Sequence, residues 1–339
     1  MYKPRLLLGL LVLSIFSSAM YADEALLKQK SVQAFIDTMV KEYHFKRDAV
    51  TATLEKATFQ PKIIESMTKP YEKKSWDIYK NIFLTPKRLH AGINFWKANQ
   101  KTLLRAQKEY NVPADIIVAI IGVETMYGEN MGHYRVLDAL TTLAFHYPKR
   151  AAFFTKELRE YLILCKELQV SPDKYLGSYA GAMGKPQFMP SSYRFYAVDF
   201  TGNGKRDLIK EDQDVIGSVA NYFHQHGWTP KQSVAQPAEI SGTRYKKLSI
   251  NTRNADYSFK QLLASGIKPL TGVVNHPPRA GLIELNTDKG LEFWLAYPNF
   301  YVITRYNTSP QYALVVYLLS QQLRAEWDKL KMDTPHAYA

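Results

Sequence analysis

Two features of this chain could do chemistry: one carboxylate and one loop. Glu124 stands near the end of the run Ile116 to Met126, which is almost wholly apolar. Helical spacing puts Ile121, Ile120 and Ile117 on its face, three, four and seven residues back. A carboxyl desolvated there, beside the negative end of a helix dipole, keeps its proton near neutrality and can pass it to a leaving oxygen. The alternative is a Glu that points to solvent at the helix end or pairs with a lysine. Against it stand Gly122, which permits close approach beside the carboxyl, and Gly128, which ends the helix.

The loop runs from Leu176 to Tyr193 and interleaves Gly177, Gly181 and Gly184 with Ser178, Gln187 and aromatic residues. It is not a phosphate loop, because Lys185 is followed by Pro186 rather than by a helix-opening Ser or Thr. Such a segment can lay backbone against a flat polar ligand while Ser178 and Gln187 offer hydrogen bonds. A third pattern, Asp199-Phe200-Thr201-Gly202-Asn203-Gly204-Lys205, sets oxygen ligands at positions 1, 3 and 5 of an EF-hand, a carbonyl at 7 and glycine at 6. Position 12 is Lys210 where a bidentate Glu is needed, so the standard calcium loop fails. His224 and His226 diverge on a helix with no third ligand, which argues against zinc. The lone Cys165 excludes an internal disulfide and reads as a small buried hydrophobe.

The elements that must hold these groups are mostly helical. Val32, Phe35, Ile36, Met39, Val40 and Tyr43 recur at spacings of three and four, and further amphipathic stretches follow near 47–57 and 87–108. Pro113-Ala114-Asp115 opens the Glu124 helix. Two helices fill 136–170, another 214–226, and a last one runs from about Pro310 to Leu330. From Pro237 to about Arg305 short alternations, including Leu282 to Leu285 and Phe300 to Thr304, read as small strands.

The chain has 339 residues, 46% of them hydrophobic, enough for two or three domains and too apolar for disorder. Lys3 and Arg5, the apolar run Leu6 to Phe16 and small residues ending at Ala22 have the layout of an export signal over 1–22. No Cys follows the run to carry a lipid anchor. The net charge of +13, less Lys3 and Arg5, leaves +11 on the exported chain, so an anionic envelope partner is favoured over nucleic acid.

Val123-Glu124-Thr125, Gly177 to Gly184, Gln187 to Tyr193, Asp199 to Gly204, Gly217 to Phe223 and Asn299 to Asn307, in that order, resemble the lytic murein transglycosylase B family. The resemblance runs from about residue 30 to 325. It implies a mainly α, α+β fold: an N-terminal helical domain (23–108), a lysozyme-like core with an EF-hand-like loop (109–229), a small β insertion (230–298) and a return to the core with the C-terminal helix (299–335). It implies cleavage between N-acetylmuramic acid and N-acetylglucosamine in peptidoglycan, leaving 1,6-anhydromuramic ends. Glu124 matches the single acid and base; Ser178 and Gln187 match positions beside it and the sugar, and Tyr222 the aromatic hydroxyl beneath. Tyr306 and Tyr312 match cleft aromatics, and Lys149 and Arg150 a basic pair for peptide or lactyl carboxylates. The family pattern draws the last calcium ligand from the next helix, here Asp214 with Asp212 as substitute, completing Asp199, Thr201, Asn203 and Lys205. That makes calcium structural, the alternative being a metal-free Asn-Gly turn closed by Asp199. No cofactor is needed for chemistry. The expected partners are glycan strands in the periplasm, with peripheral membrane or cell-wall protein contacts. The alternative function is a non-catalytic peptidoglycan-binding scaffold.

Overall fold

The computed structural model describes residues 26–68, 74–270 and 277–333; the expected export signal lies outside them. The chain forms two compact units, each discontinuous in sequence, which cross the boundaries expected at 108 and 229. The first draws on residues up to 68, 132–182 and 189–191. In it the helices Lys30–Lys41, Arg47–Glu55, Pro61–Thr68, Val136–His146 and Ala151–Glu167 accompany a two-residue ladder of β1 (Tyr134–Arg135) with β2 (Leu176–Gly177). Cys165 is buried in this unit, as a small apolar residue would be.

The second unit comprises the described residues of 74–131, 183–188, 192–270 and 277–333. Its five-stranded sheet has the order β4 (Tyr257–Ser258), β6 (Arg279–Thr287), β7 (Gly290–Ala296), β3 (Ala235–Ile240), β5 (Ile267–Pro269), all pairs antiparallel. One face buries Leu262, Ile267, Leu282, Leu295 and Tyr297. The expectation of a strand at Phe300 to Thr304 is corrected: Pro298–Ile303 is a helix, with Pro in its first turn. Asn299 through Ile303 are buried without a break, and Pro at the opening position supplies the helical φ that decides for helix.

The Glu124 helix spans Ala114–Thr125 and packs against the C-terminal helix Pro310–Asp333 and the helices Pro86–Ala98, Gln100–Tyr110 and Asp212–Gln225. Apolar all round, it is buried on nearly every side. Asp115, in its first turn, suits the positive end of the dipole and accepts from Arg324 of the C-terminal helix at 3.0 Å.

Its other end is unusual. Met126 (φ 52°) and Tyr127 (φ 60°) are both left-handed, followed by Gly128 at φ 101°. Left-handed backbone costs a non-glycine residue about 1–2 kcal/mol, so the surroundings must impose it. The Met126 N–H closes on the Gly122 carbonyl at 3.1 Å, and the Gly128 N–H donates to the Thr125 hydroxyl at 3.0 Å. The Arg88 guanidinium, buried, donates to the carbonyls of Gly122, Ile82 and Phe83. The Tyr127 phenol fills the space left by two glycines: a Cβ on Gly92 or Gly122 would lie 2.4 or 2.3 Å from its oxygen. Its ring stacks on Phe95 at 5.3 Å, while its buried hydroxyl has no hydrogen-bond partner among the described residues.

That arrangement separates shape from polarity. Tyr127→Phe keeps the ring and removes only the unpartnered hydroxyl, so its melting temperature should equal or exceed that of the wild type. Gly122→Ala must displace the phenol and should cost about 1–3 kcal/mol. Thermal unfolding of the two variants checks both; a Tyr127→Phe protein as unstable as Gly122→Ala would mean that the hydroxyl, and not the wedge, holds the turn.

Candidate active site

Glu124 occupies the last turn of its helix between buried Val123 and buried Thr125, with its own side chain half-buried. The hydroxyl of Tyr312, on the first turn of Pro310–Asp333, donates to Oε1 at 2.5 Å. Desolvation raises the carboxyl from an ordinary 4.5 to about 7, and the Tyr312 bond pulls the other way. Burial wins, so near neutrality the acid is poised between its two forms, with Oε2 left for a ligand. Tyr312 is itself pushed well above the usual phenol range, first by burial and then by the Glu124 charge, so it remains a donor.

The loop beside this helix is fastened from within. Thr125 donates its hydroxyl proton to the Lys185 carbonyl at 2.8 Å, and Lys185 pairs with Asp212. Gln187 has a left-handed backbone (φ 50°), and its amide nitrogen donates to the carbonyls of Met131 at 3.1 Å and Gly184 at 2.9 Å. Both amide protons are therefore committed, and the Gln187 side chain offers a ligand only its oxygen as acceptor. The Tyr306 hydroxyl donates to the Pro186 carbonyl at 2.6 Å and that of Tyr222 to the Arg305 carbonyl at 2.7 Å. Their rings lie 4.8 Å apart, both against Phe188, and Tyr222 stacks on His226 at 4.1 Å. Burial raises both phenols; at Tyr222 the neighbouring Tyr196 adds to it, and the Glu124 charge adds a smaller upward effect there and at Tyr306. With their hydroxyls committed, these two tyrosines form one aromatic cluster with Phe188, Phe223 and His226.

Glu124, Gln187, Tyr222, Tyr306 and Tyr312 all belong to the second unit, where Glu124 meets Tyr312 and Tyr222 meets Tyr306. Ser178, Lys149 and Arg150 belong to the first. There the Ser178 oxygen accepts from the N–H groups of Ala180 and Ala182, which leaves its own proton to donate. Lys149 and Arg150 are exposed on a 3-10 turn, Pro148–Arg150, with the guanidinium over Phe153 at 4.3 Å. Sequence reasoning missed Thr125, Lys185 and Arg88, whose work is done largely through backbone carbonyls and carries no spacing signal.

The calcium-like loop is closed on itself. Asp199 accepts from Gly202, Asn203 and Gly204 N–H groups and from the Thr201 hydroxyl; Asn203 accepts from Lys205 N–H. Asp214, fully buried, accepts from Phe200, Thr201 and Asp207 N–H groups at 2.8 to 2.9 Å. Desolvation works upward on Asp199, yet the donors from Gly204, Thr201, Gly202 and Asn203 together hold it below the usual carboxylate range. Three of these bonds end on Asp199 Oδ1 and one on Oδ2, so the loop's own donors crowd one oxygen and leave acceptor capacity on the other. No group of three or more His, Cys, Asp or Glu side chains suited to a metal occurs among the described residues. The donor set Asp199, Thr201, Asn203, Lys205 and Asp214 is held by hydrogen bonds within this segment, the pattern of the metal-free turn.

Residues 27–321 match the family described as the transglycosylase SLT domain. The chain belongs to this family. It is 41% identical over 301 residues, 86% of its length and 82% of the relative's, to the membrane-bound lytic murein transglycosylase B of Escherichia coli strain K12. Its fold is similar to the catenated lytic transglycosylase SltB1 of Pseudomonas aeruginosa, with TM-score 0.82, 43% identity and coverage of 88% and 98% of the two chains. It is also similar to the E. coli lytic transglycosylase Slt35 in complex with calcium, with TM-score 0.79, 40% identity and coverage of 88% and 94%. The mainly helical, lysozyme-like class follows from these matches.

Two outcomes follow for this family member. Glu124 binds its proton more tightly folded than unfolded, so the wild type loses stability relative to Glu124→Gln as pH rises from about 4.5 to about 7. The gap should then stay level, at no more than about 3 kcal/mol; denaturant unfolding at pH 4.5 and pH 8 measures it, and parallel curves would refute it. Second, millimolar calcium or chelator should leave the melting temperature unmoved, whereas a calcium-dependent rise would show that the loop reopens to a metal.

Proposed function

We propose that this lytic transglycosylase cleaves the β-1,4 bond between N-acetylmuramic acid and N-acetylglucosamine in peptidoglycan and leaves 1,6-anhydromuramic ends, with Glu124 as acid and then base. The reading is carried by a half-buried carboxyl whose proton leaves at about 7 and whose Oε1 is held by Tyr312. Ordinary glycosidases divide acid and base or nucleophile between two carboxylates. The influences on Glu124 among the described residues are burial and one hydroxyl, with no second carboxylate. One acid suffices when the substrate supplies the nucleophile. The neutral carboxyl protonates the glycosidic oxygen as the bond breaks; the 2-acetamido group stabilises the electron-poor anomeric carbon; the carboxylate then takes the proton of the C6 hydroxyl as that oxygen closes the ring. The nucleophile is tethered, so ring closure needs no positioned water.

Tyr312 is a positioning residue in this scheme. Its bond stabilises the carboxylate formed in the first half and is ready to release it in the second. The proposed site is extracytoplasmic, in the periplasm, in keeping with the N-terminal run and with a wall polymer as substrate.

Mass spectrometry of digested wall tests the product: anhydromuropeptides are expected, and intact glycan would favour a binding scaffold. Glu124→Gln should lose at least about 1000-fold in rate while still binding wall, since an amide accepts and donates hydrogen bonds but releases no proton. Tyr312→Phe removes the one influence that lowers the Glu124 pKa. Its pH–rate profile should therefore lose activity on the alkaline side at a higher pH than wild type, with kcat reduced about 10- to 100-fold. A profile shifted to lower pH would contradict the assignment.

A further inference from the structure

The segment that joins Tyr306 to Tyr312 has a second side. Thr304, Arg305 and residues 307–311 line two adjoining polar cavities of about 300 and 420 Å³, which share Asn251, Thr308 and Pro310. The first is lined by Arg253 and Arg305, the second by Glu284 and Gln311. Both arginines are exposed, and among the described residues neither guanidinium forms an ion pair. Two cations left uncompensated beside one recess make it attractive to an anion.

The recess is built rather than incidental. Asn251, with a left-handed backbone (φ 56°), acts as an extra strand residue on β6: its side chain donates to the Glu284 carbonyl and accepts from the Glu284 N–H, both at 3.0 Å, and its N–H donates to Leu282. Arg279 donates to the carbonyls of Ala255 and Asp256, fastening the far end of the same loop. Arg253 is therefore carried on a loop tied to the sheet at both ends. Arg305 is tied to the active site: its carbonyl holds the Tyr222 hydroxyl, and its charge acts on Tyr222 and His226. The cavity begins where the aromatic cluster ends.

We propose that this cavity binds the peptide branch of the glycan strand, its free carboxylates meeting Arg253 and Arg305 and an amine of the same branch meeting Glu284 in the adjoining recess. The pairing of two guanidinium groups with one carboxylate across joined cavities fits a zwitterionic peptide better than a simple anion, which Glu284 would repel. A planar guanidinium also suits a carboxylate by its two parallel donors. The assignment rests on the function proposed above, because it needs a glycan strand in the neighbouring cleft.

The test uses binding in the Glu124→Gln background, where no turnover is required. Affinity is measured for glycan strands that carry their peptides and for the same strands stripped of peptide by an amidase. The parent should bind peptide-bearing strands about tenfold tighter. Arg253→Glu should abolish that preference without changing affinity for stripped strands, and Arg253→Lys should restore part of it. Equal affinity of the parent for the two strands, an equal loss on both in Arg253→Glu, or no loss in that variant would each overturn the proposal. Products of the wild-type chain on the same strands report separately on the reaction: absence of anhydro ends would strike the proposed function while leaving the binding comparison readable.

Discussion

The structure depends on one opposition, between the desolvation that keeps a proton on Glu124 and the Tyr312 hydroxyl that draws it off. Burial alone would lock the carboxyl neutral, able to give a proton and poor at taking one back. A strong hydrogen bond in open water would leave it ionised from the start. The two together put the titration at about 7, where donation and recovery cost similar free energy.

Much of the second unit serves to hold those two side chains in place. The apolar helix Ala114–Thr125 carries the acid, and Pro310–Asp333 packed on it carries the phenol. The helix is stopped within two residues of the acid by the left-handed Met126 and Tyr127, stabilised by Arg88, Thr125 and a phenol fitted against Gly92 and Gly122. Because Thr125 also holds the Lys185 carbonyl and Tyr306 holds that of Pro186, the loop is anchored to the helix end and to the aromatic cluster at neighbouring residues. Strain at the helix end and anchoring of the loop are thus parts of one arrangement, which fixes the loop beside a desolvated acid.

The acid itself is legible in the sequence, because helical spacing is local and three isoleucines share its face. Tyr312, 188 residues further on, is legible only by resemblance: no periodicity connects two side chains brought together by helix packing. Arg88 looks like any surface arginine of an amphipathic helix until its carbonyl partners are seen. The strand expected at Phe300 to Thr304 came from β-branched and aromatic composition, which continuous burial on a helix satisfies equally well. Asp199 to Lys205 shows the converse limit. Spacing reveals which oxygens the segment carries, whereas only geometry reveals that backbone N–H groups already donate to those of Asp199 and Asp214.

Carbon-13 NMR of glutamate-labelled protein, with the Glu124→Gln spectrum subtracted, follows the Glu124 proton itself. A single side-chain carboxyl resonance should titrate at about 7 and be absent from the variant. A Glu124 resonance that titrates near 4.5, as a solvated carboxyl would, contradicts it.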